Sequence, residues 1–499
     1  MTTTPRAETS GAIVEAPARP VTGGRHLVVL SNRLPFTVDT SADGPRFARA
    51  PGGLVSALEP VLAERGGVWV GWNGVTSDEA PDFTQTLPTG PPGLQYRPVR
   101  LTARELSRYY DGFSNHTLWP LFHYFVGRTQ IDARTWRVYD EVNQRFARAA
   151  AAGMQGASTA DTLFWIHDYQ LLRAPYYVRR LVPRSRIAFF LHIPFPATDV
   201  FRVLPWSRSL MRSMLAADLV GLHVESYAAH FLTCAERLLG CEVDRTAGIV
   251  HFEGREVSVQ VHPIGIDVPA VERLAARAGP PRVSPDRVRH VLGVDRLDYT
   301  KGIHERLLAV ERLLETHPEY HRRVIFTQVL VSSRERVPDY SRLKREIDEA
   351  VGRINGRFSE KGWAPVRYMV RSLPPEELVA HYRRSDVALV TPLRDGMNLV
   401  AKEYAAAQLE DDGVLILSEL AGAAEELQEA LQVNPFDVDA VAEALDTALS
   451  MPDDERRARM SALRDRVRAN DVHIWVRRFL AGAELASERA RATVQSPLH

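Results

Sequence analysis

Two series of short, nearly unbroken apolar runs dominate this sequence. HLVVLSN, GVWVGW, TLFWIHD, RIAFFLHI, ADLVGLHV and VSVQVHPIG form the first; RHVLGVDR, RVIFTQVLV, VRYMVRSL, VALVTPL and GVLILSE form the second. Strands that are apolar along their whole length must be covered on both faces, as in parallel sheets flanked by helices. Amphipathic patterns fill the intervals. After Lys301-Gly302, residues Ile303, Leu307, Val310 and Leu314 recur at helical spacing, which predicts one buried stripe with the Glu and Arg side chains outside. A break at Gly279-Pro280-Pro281 separates the two series. A chain of 499 residues also exceeds what one core usually supports, roughly 250–300 residues. The expected fold is α/β, with two facing Rossmann-like, doubly wound parallel-sheet domains over 25–265 and 266–470. Ligands bind such sheets at the carboxyl ends of their strands, so the site is expected in the cleft between the domains.

The ends of the chain read differently. Residues 1–24 are rich in Thr, Ala, Pro and Gly and carry no apolar core of a signal peptide, which predicts a disordered leader. The polar segment 487–499 is expected to be a flexible tail. Lys plus Arg and Asp plus Glu each total 62, and this neutrality argues against nucleic-acid or membrane-surface partners. No apolar stretch is long enough to span a bilayer. The cysteines, Cys234 and Cys241, cannot build a disulfide framework, which points to a reducing, cytoplasmic setting. They lie in a helical-looking segment, so plain packing is the expected role. No Walker A sequence and no G-x-G-x-x-G opening a helix is present. Asp437 and Asp439 form a D-x-D just before a helical pattern, and Asp437 reads as a helix cap rather than a metal ligand.

Chemistry concentrates where the apolar runs stop. VVLSNRLPF leaves Ser31, Asn32 and Arg33 past one strand, followed by Gly52 and Gly53, where backbone N–H groups can approach an anion. WIHDYQLL leaves His167 and Asp168, and FFLHIPFP leaves His192. YYDGFSNHTLWP supplies Tyr109, Tyr110, Asn115, His116 and Trp119 in an expected loop. In the second half VDRLDYTKG gives Arg296 and Lys301, VLVSSRERV gives Arg334, and VTPLRDGMNLVAKEYAAA gives Asp395 and Glu403, the latter two turns into a helix. Singly, each has an ordinary reading: surface ion pairs for the arginines, core packing for His192, Tyr110 and Trp119, a solvated helix face for Glu403. Together they suggest an enzyme with an anionic, phosphorylated ligand, and residue types alone do not reach the reaction.

In order along the chain, SNRLP, GGLVSAL, GWNG, YYDGFSNHTLWPLFHY, FWIHDYQLL, FFLHIPFP, HPIGID, VDRLDYTKG, GRINGRF and VTPLRDGMNLVAKEYAAAQ make the sequence resemble the retaining trehalose-6-phosphate synthase family of GT-B glycosyltransferases. The resemblance implies transfer of glucose from a nucleotide-glucose to glucose 6-phosphate, giving α,α-trehalose 6-phosphate and a nucleoside diphosphate. UDP-glucose is the default donor, with ADP- and GDP-glucose open. No cofactor and no metal are implied, and a homo-oligomer, dimer or tetramer, is expected. A C-terminal helix over 471–486 would cross back onto the first domain.

The same resemblance implies roles. Arg33, Tyr110, Trp119, Asp168 and Arg334 would bind the acceptor, with Arg33 and Arg334 on its phosphate. Gly53, Trp72, Arg296, Lys301, Asp395, Asn398, Leu399 and Glu403 would bind the donor. Arg296 and Lys301 would clamp its diphosphate, Asp395 its glucose hydroxyls and Glu403 its ribose. The N–H groups of Asn398 and Leu399 would face the phosphates. Asp168, His192, Arg296 and Lys301 would act at the reacting centre, with Asp168 and His192 positioning or stabilising charge rather than attacking. Two other readings compete: a related synthase with another acceptor (glucosylglycerol-phosphate or pseudo-glycosyl cyclitol transfer), and a catalytically silent sugar-phosphate sensor. The intact SNRLP, GG and clamp residues favour the synthase.

Overall fold

The structure is a computed structural model and describes residues 26–41, 44–49, 55, 58–59, 61–62, 67–78, 90, 93–154, 157–279, 288–331 and 338–495. The expected leader 1–24, Gly53, Arg334 and the last four tail residues, 496–499, lie outside the described residues.

The two apolar series build two sheets. Strands in the first are β1 (Leu27–Arg33), β4 (Gly67–Trp72), β5 (Leu94–Val99), β6 (Leu163–His167), β7 (Arg186–Phe190), β8 (Leu219–Leu222), β9 (Glu242–Asp244), β10 (Ile249–Phe252) and β11 (Arg255–Val261). Their spatial order is β5-β4-β1-β6-β7-β8-β11-β10-β9. β2 (Phe36–Ser41) and β3 (Gly44–Arg49) form a separate antiparallel hairpin. The second sheet holds β12 (Arg289–Arg296), β13 (Val324–Val331), β14 (Val366–Val370), β15 (Val387–Val390), β16 (Val414–Ser418) and β17 (Leu431–Val433), in the order β14-β13-β12-β15-β16-β17. Its pairings are all parallel. The all-parallel expectation fails for the first sheet, where β10 runs antiparallel to both β11 and the edge strand β9. β10 reverses into β11 through a tight turn at Glu253-Gly254, both with positive φ (49° and 73°), the geometry of a two-residue hairpin.

The strand order sets the site. In the first sheet the chain leaves β1 for β4 and β5 on one side, then returns to β6 on the other. In the second it leaves β12 for β13 and β14, then returns to β15. Crevices open at such reversals, outside the strand carboxyl ends. One crevice therefore lies at Arg33 and His167, the other between Arg296 and the segment after Val390.

Three local expectations are corrected. Ile303, Leu307, Val310 and Leu314 are buried along α1 (Ile303–Thr316), but Arg306 is buried with them and Glu311 nearly so. Arg306 Nη1 meets Asp295 Oδ2 at 2.5 Å and Gln328 Oε1 at 3.1 Å, so the charge enters the core already paired. YYDGFSNHTLWP is not a loop. Ser107–Leu118 is a π-helix closed by the Trp119 N–H donating to the Ser114 carbonyl, five residues back. Its Gly, Asp, Asn and Ser residues read as turn formers, but Tyr109, Phe113 and Leu118 are fully buried and packing overrides propensity. Finally, α2 (Val472–Gln495) runs well past 486. Ser487 and Ala490 are buried, Ser487 Oγ donates to Asp218 Oδ2 at 3.2 Å, and Arg491 donates to the Ala160 and Arg184 carbonyls.

α2 packs on the first sheet. Phe479 stacks on Trp165 at 4.8 Å, and Trp475 lies 5.5 Å from the same ring. A Cβ on Gly221 would sit 2.5 Å from Phe479, so this strand needs glycine for the helix to seat. Trp475 Nε1 donates to the His262 carbonyl, and the Val472 N–H to the Ile266 carbonyl, joining the two segments that pass between the domains. Asp437 caps the helix Val438–Ser450 through the Ala440 N–H, as read from the sequence. Both cysteines are free, with Cys234 buried against Thr198.

Candidate active site

The first crevice is organised around strained and paired groups. Asp168 follows β6 with φ 74°, a region costly for a residue with a side chain and concentrated at functional sites. Its N–H donates to the Phe190 carbonyl at 2.7 Å, and its Oδ1 accepts from the His192 N–H at 3.2 Å. The ends of β6 and β7 are thus tied together. His192 Nε2 lies 3.1 Å from His167 Nδ1. Burial pushes the His192 pKa down to about 3 and holds His167 and His223 well below the usual value, so all three are neutral near pH 7. Arg33 ends β1 and is exposed, its guanidinium 4.7 Å above the Trp72 ring at the end of β4. Trp72 is held by donation from Nε1 to the Val75 carbonyl.

The π-helix closes the next side. Tyr109 is buried and donates to Asn32 Oδ1 at 2.9 Å, which fixes the helix to the end of β1. Tyr110 is half-buried beside it. Trp119 follows the helix, 4.1 Å from His123 and 5.6 Å from Tyr169.

The second crevice carries a compact charge cluster. Lys301 Nζ donates to Asp395 Oδ2 at 2.5 Å, and Asn398 Nδ2 donates to the same oxygen at 3.0 Å. Burial alone would raise the Asp395 pKa, but Lys301, with smaller contributions from His123 and Arg296, holds it below the ordinary carboxylate value. Asn398, at φ 80°, caps α3 (Leu399–Ala407) by accepting from the Ala401 N–H. Leu399 therefore opens the helix, where free N–H groups favour an anion. Glu403 falls in the second turn of α3, sooner than expected, and accepts from the Tyr382 hydroxyl at 2.8 Å. Burial raises its pKa.

The two crevices face each other closely. A Cβ on Gly396 would stand 2.3 Å from the His192 carbonyl oxygen, so only glycine permits this approach. Arg296 is exposed and lies 5.5 Å over the Trp119 ring, joining two residues expected to serve different substrates. Tyr227 donates to the Asp395 carbonyl at 3.0 Å, and Arg394 lies 4.0 Å over Tyr124. Sequence reasoning missed Tyr124, Tyr227 and Arg394. Arg394 adjoins Asp395 and Tyr124 closes YYDGFSNHTLWPLFHY, both inside quoted motifs, whereas Tyr227 had no local signal. Within the described residues, then, Arg33, Trp72, Tyr110, Trp119, Asp168 and His192 belong to the first domain and Arg296, Lys301, Asp395, Asn398, Leu399 and Glu403 to the second, with Gly396 against His192 and Arg296 over Trp119 bridging the two. No group of His, Cys, Asp and Glu among the described residues is arranged to hold a metal ion.

Known proteins share this sequence and architecture. The pattern of glycosyltransferase family 20 matches residues 25–484. The trehalose-6-phosphate synthase of Mycolicibacterium smegmatis is 42% identical over 482 residues, covering 92% of each chain. The bifunctional trehalose-6-phosphate synthase/phosphatase of Thermoproteus tenax is also 42% identical, over 95% of this chain; the chain spans 65% of that longer protein. Among solved structures, the UDP-forming α,α-trehalose-phosphate synthase of Burkholderia xenovorans in complex with glucose-6-phosphate superimposes with a TM-score of 0.79 at 34% identity, covering 92% of this chain and all of that one. A two-domain α/β architecture with facing switch points, matched over nearly its whole length by these proteins, places the chain in glycosyltransferase family 20.

Proposed function

We propose that the protein transfers glucose from UDP-glucose to glucose 6-phosphate, releasing UDP and α,α-trehalose 6-phosphate with retention at the donor carbon. The observation that carries this reading is the approach of Gly396 to His192, which brings the Lys301–Asp395–Asn398 cluster opposite Asp168, His192 and Arg33. One crevice suits a nucleotide sugar and the other a sugar phosphate, and the relatives' names supply the product.

In this reading Arg296, Lys301 and the first N–H groups of α3, at Leu399 and beyond, meet the donor diphosphate. Breaking the bond from glucose C1 to the β-phosphate oxygen leaves negative charge on that oxygen. Fixed cations stabilise this charge more in the transition state than in the ground state, which lowers the barrier without a metal. Asp395, held ionised, accepts from glucose hydroxyls, and Glu403 from the ribose. Arg33, Tyr110 and Trp119 receive the acceptor, with Arg334 and Gly53 assigned by motif. The new bond forms from the acceptor C1 hydroxyl oxygen to donor C1. The hydroxyl proton passes to the departing β-phosphate oxygen on the same face, so no covalent enzyme intermediate is needed. Asp168 has one carboxylate oxygen engaged by the His192 backbone, which suits positioning. Trapping a glycosylated Asp168 from a slow donor would overturn this route.

The test is UDP release from UDP-glucose. It should require glucose 6-phosphate and yield a disaccharide phosphate in equal amount. Release that is independent of an acceptor, or an acceptor other than glucose 6-phosphate used preferentially, would defeat the proposal. The protein is proposed to act as a homo-oligomer in the cytoplasm; among the described residues no helix is long and apolar enough to cross a membrane.

A further inference from the structure

His167 is fully buried and meets the partly buried His192. It lies at the end of β6, with Trp165 4.8 Å from its ring. The His167 and His192 ring planes are 17° apart with centroids 5.4 Å apart, the separation reached when the 3.1 Å contact from Nδ1 to Nε2 lies in line with both rings, so it has in-plane hydrogen-bond geometry. Around His192 stand Phe190, His223 and Trp475. Asp168 meets His192 through the backbone, its Oδ1 accepting from the His192 N–H.

A neutral imidazole carries one N–H, and the contact needs one donor and one acceptor. Two arrangements satisfy it. In the first, His167 holds its proton on Nδ1 and donates to His192 Nε2. In the second, His192 donates and His167 holds its proton on Nε2. The second leaves a buried N–H with no acceptor, because His167 Nε2 is sealed from solvent and has no partner among the described residues. The first leaves only a bare lone pair there. Orphaned buried N–H groups are the rarer and costlier defect. His192, by contrast, is only partly buried, and its Nδ1 is not among the sealed, unpartnered polar atoms of the described residues.

We propose that His167 is a positioning residue whose Nδ1–H donates to His192 Nε2 and thereby fixes His192 as an Nδ1–H donor toward the cleft. The proposal rests on the glucosyl-transfer reading for its consequence. His192 gives a hydrogen bond to an oxygen of the bound sugar and takes no proton from the attacking hydroxyl, which leaves the phosphate oxygen as proton acceptor. A second proton on His192 would have to enter at Nε2, against the His167 N–H.

The test is long-range proton–nitrogen correlation on the full chain with nitrogen-15-labelled histidine at neutral pH. The expected result is a proton on Nδ1 of both residues. His167→Asn keeps an N–H near the original Nδ1 and should leave the His192 pattern and kcat near wild type. His167→Phe keeps the ring volume but loses the donor; His192 should then populate both tautomers, with kcat lower by roughly tenfold and KM little changed. A wild-type His192 proton on Nε2, or an unchanged tautomer in His167→Phe, overturns the proposal. If His167→Phe does not fold, the wild-type spectrum decides alone. A wild type that transfers no glucose sinks the reaction reading, and the spectrum still settles the role of His167.

Discussion

Arg296 contacts the aromatic face of Trp119, yet it is exposed and acts on the Lys301–Asp395 pair only through its charge. Its removal should therefore separate catalysis from stability. Arg296→Ala is expected to lower kcat/KM by about 10²–10³, as for loss of one stabilising donor at a developing charge, while the thermal midpoint stays within about a degree or two. A large drop in midpoint would show that the residue is structural. Gly396→Ala should do the reverse: its Cβ meets the His192 carbonyl oxygen at 2.3 Å, so the domains must separate. Scattering should detect an opened pair, with activity lost, and wild-type compactness and turnover would contradict it. Much of this site was legible in sequence because apolar runs end where sheets meet ligands, and Arg33, Asp168, His192, Arg296 and Asp395 all stand at such ends. The pairings were not. Lys301 and Asp395 are 94 positions apart, and Arg306 was misread as exposed because an apolar stripe says nothing about where a charge finds a buried partner.

At the level of elements, the apolar strand runs of the two series announced themselves, while segments governed by packing did not. The π-helix Ser107–Leu118 carries too many turn-forming residues to look helical, and its i+5 closure has no sequence period to detect. The antiparallel edge was hidden in Glu253-Gly254, a short hairpin signal lost between stronger runs. The end of α2 looked polar because only its Ala486, Ser487 and Ala490 face is buried. That face gives a clear prediction. Truncation after Leu485 removes the Ser487 hydrogen bond to Asp218 and the Arg491 contacts with two backbone carbonyls, and should cost about 1–3 kcal/mol in denaturant unfolding. An unchanged midpoint would mean that this part of the helix does not contribute.

Across the whole molecule, equal counts of 62 acidic and 62 basic residues hide an uneven interior. His123, His167 and His223 are buried and His192 and His262 partly so, all with lowered pKa values, about 4 for His123 and His262 and about 3 for His192. Below pH ~6.5 the unfolded chain binds protons that the native chain refuses, so stability falls with acidity until the native values are passed. For His262, whose partner is Gln260 Oε1 at 3.0 Å, the window runs from about 6.5 down to about 4. His262→Asn should remove about 1.4 kcal/mol per pH unit from the slope of stability within it; an unaltered slope would show that His262 is protonated in the native state. The domain pairing itself implies two substrates meeting in one cleft. The most direct measurement is a matrix of UDP-, ADP- and GDP-glucose against glucose 6-phosphate, glucose and glycerol 3-phosphate, read by product mass and by the anomeric linkage in NMR. The account predicts α,α-trehalose 6-phosphate from UDP-glucose and glucose 6-phosphate, with little product from the unphosphorylated acceptor. A glucosylated glycerol phosphate as the main product, or no transfer to glucose 6-phosphate from any donor, would contradict it.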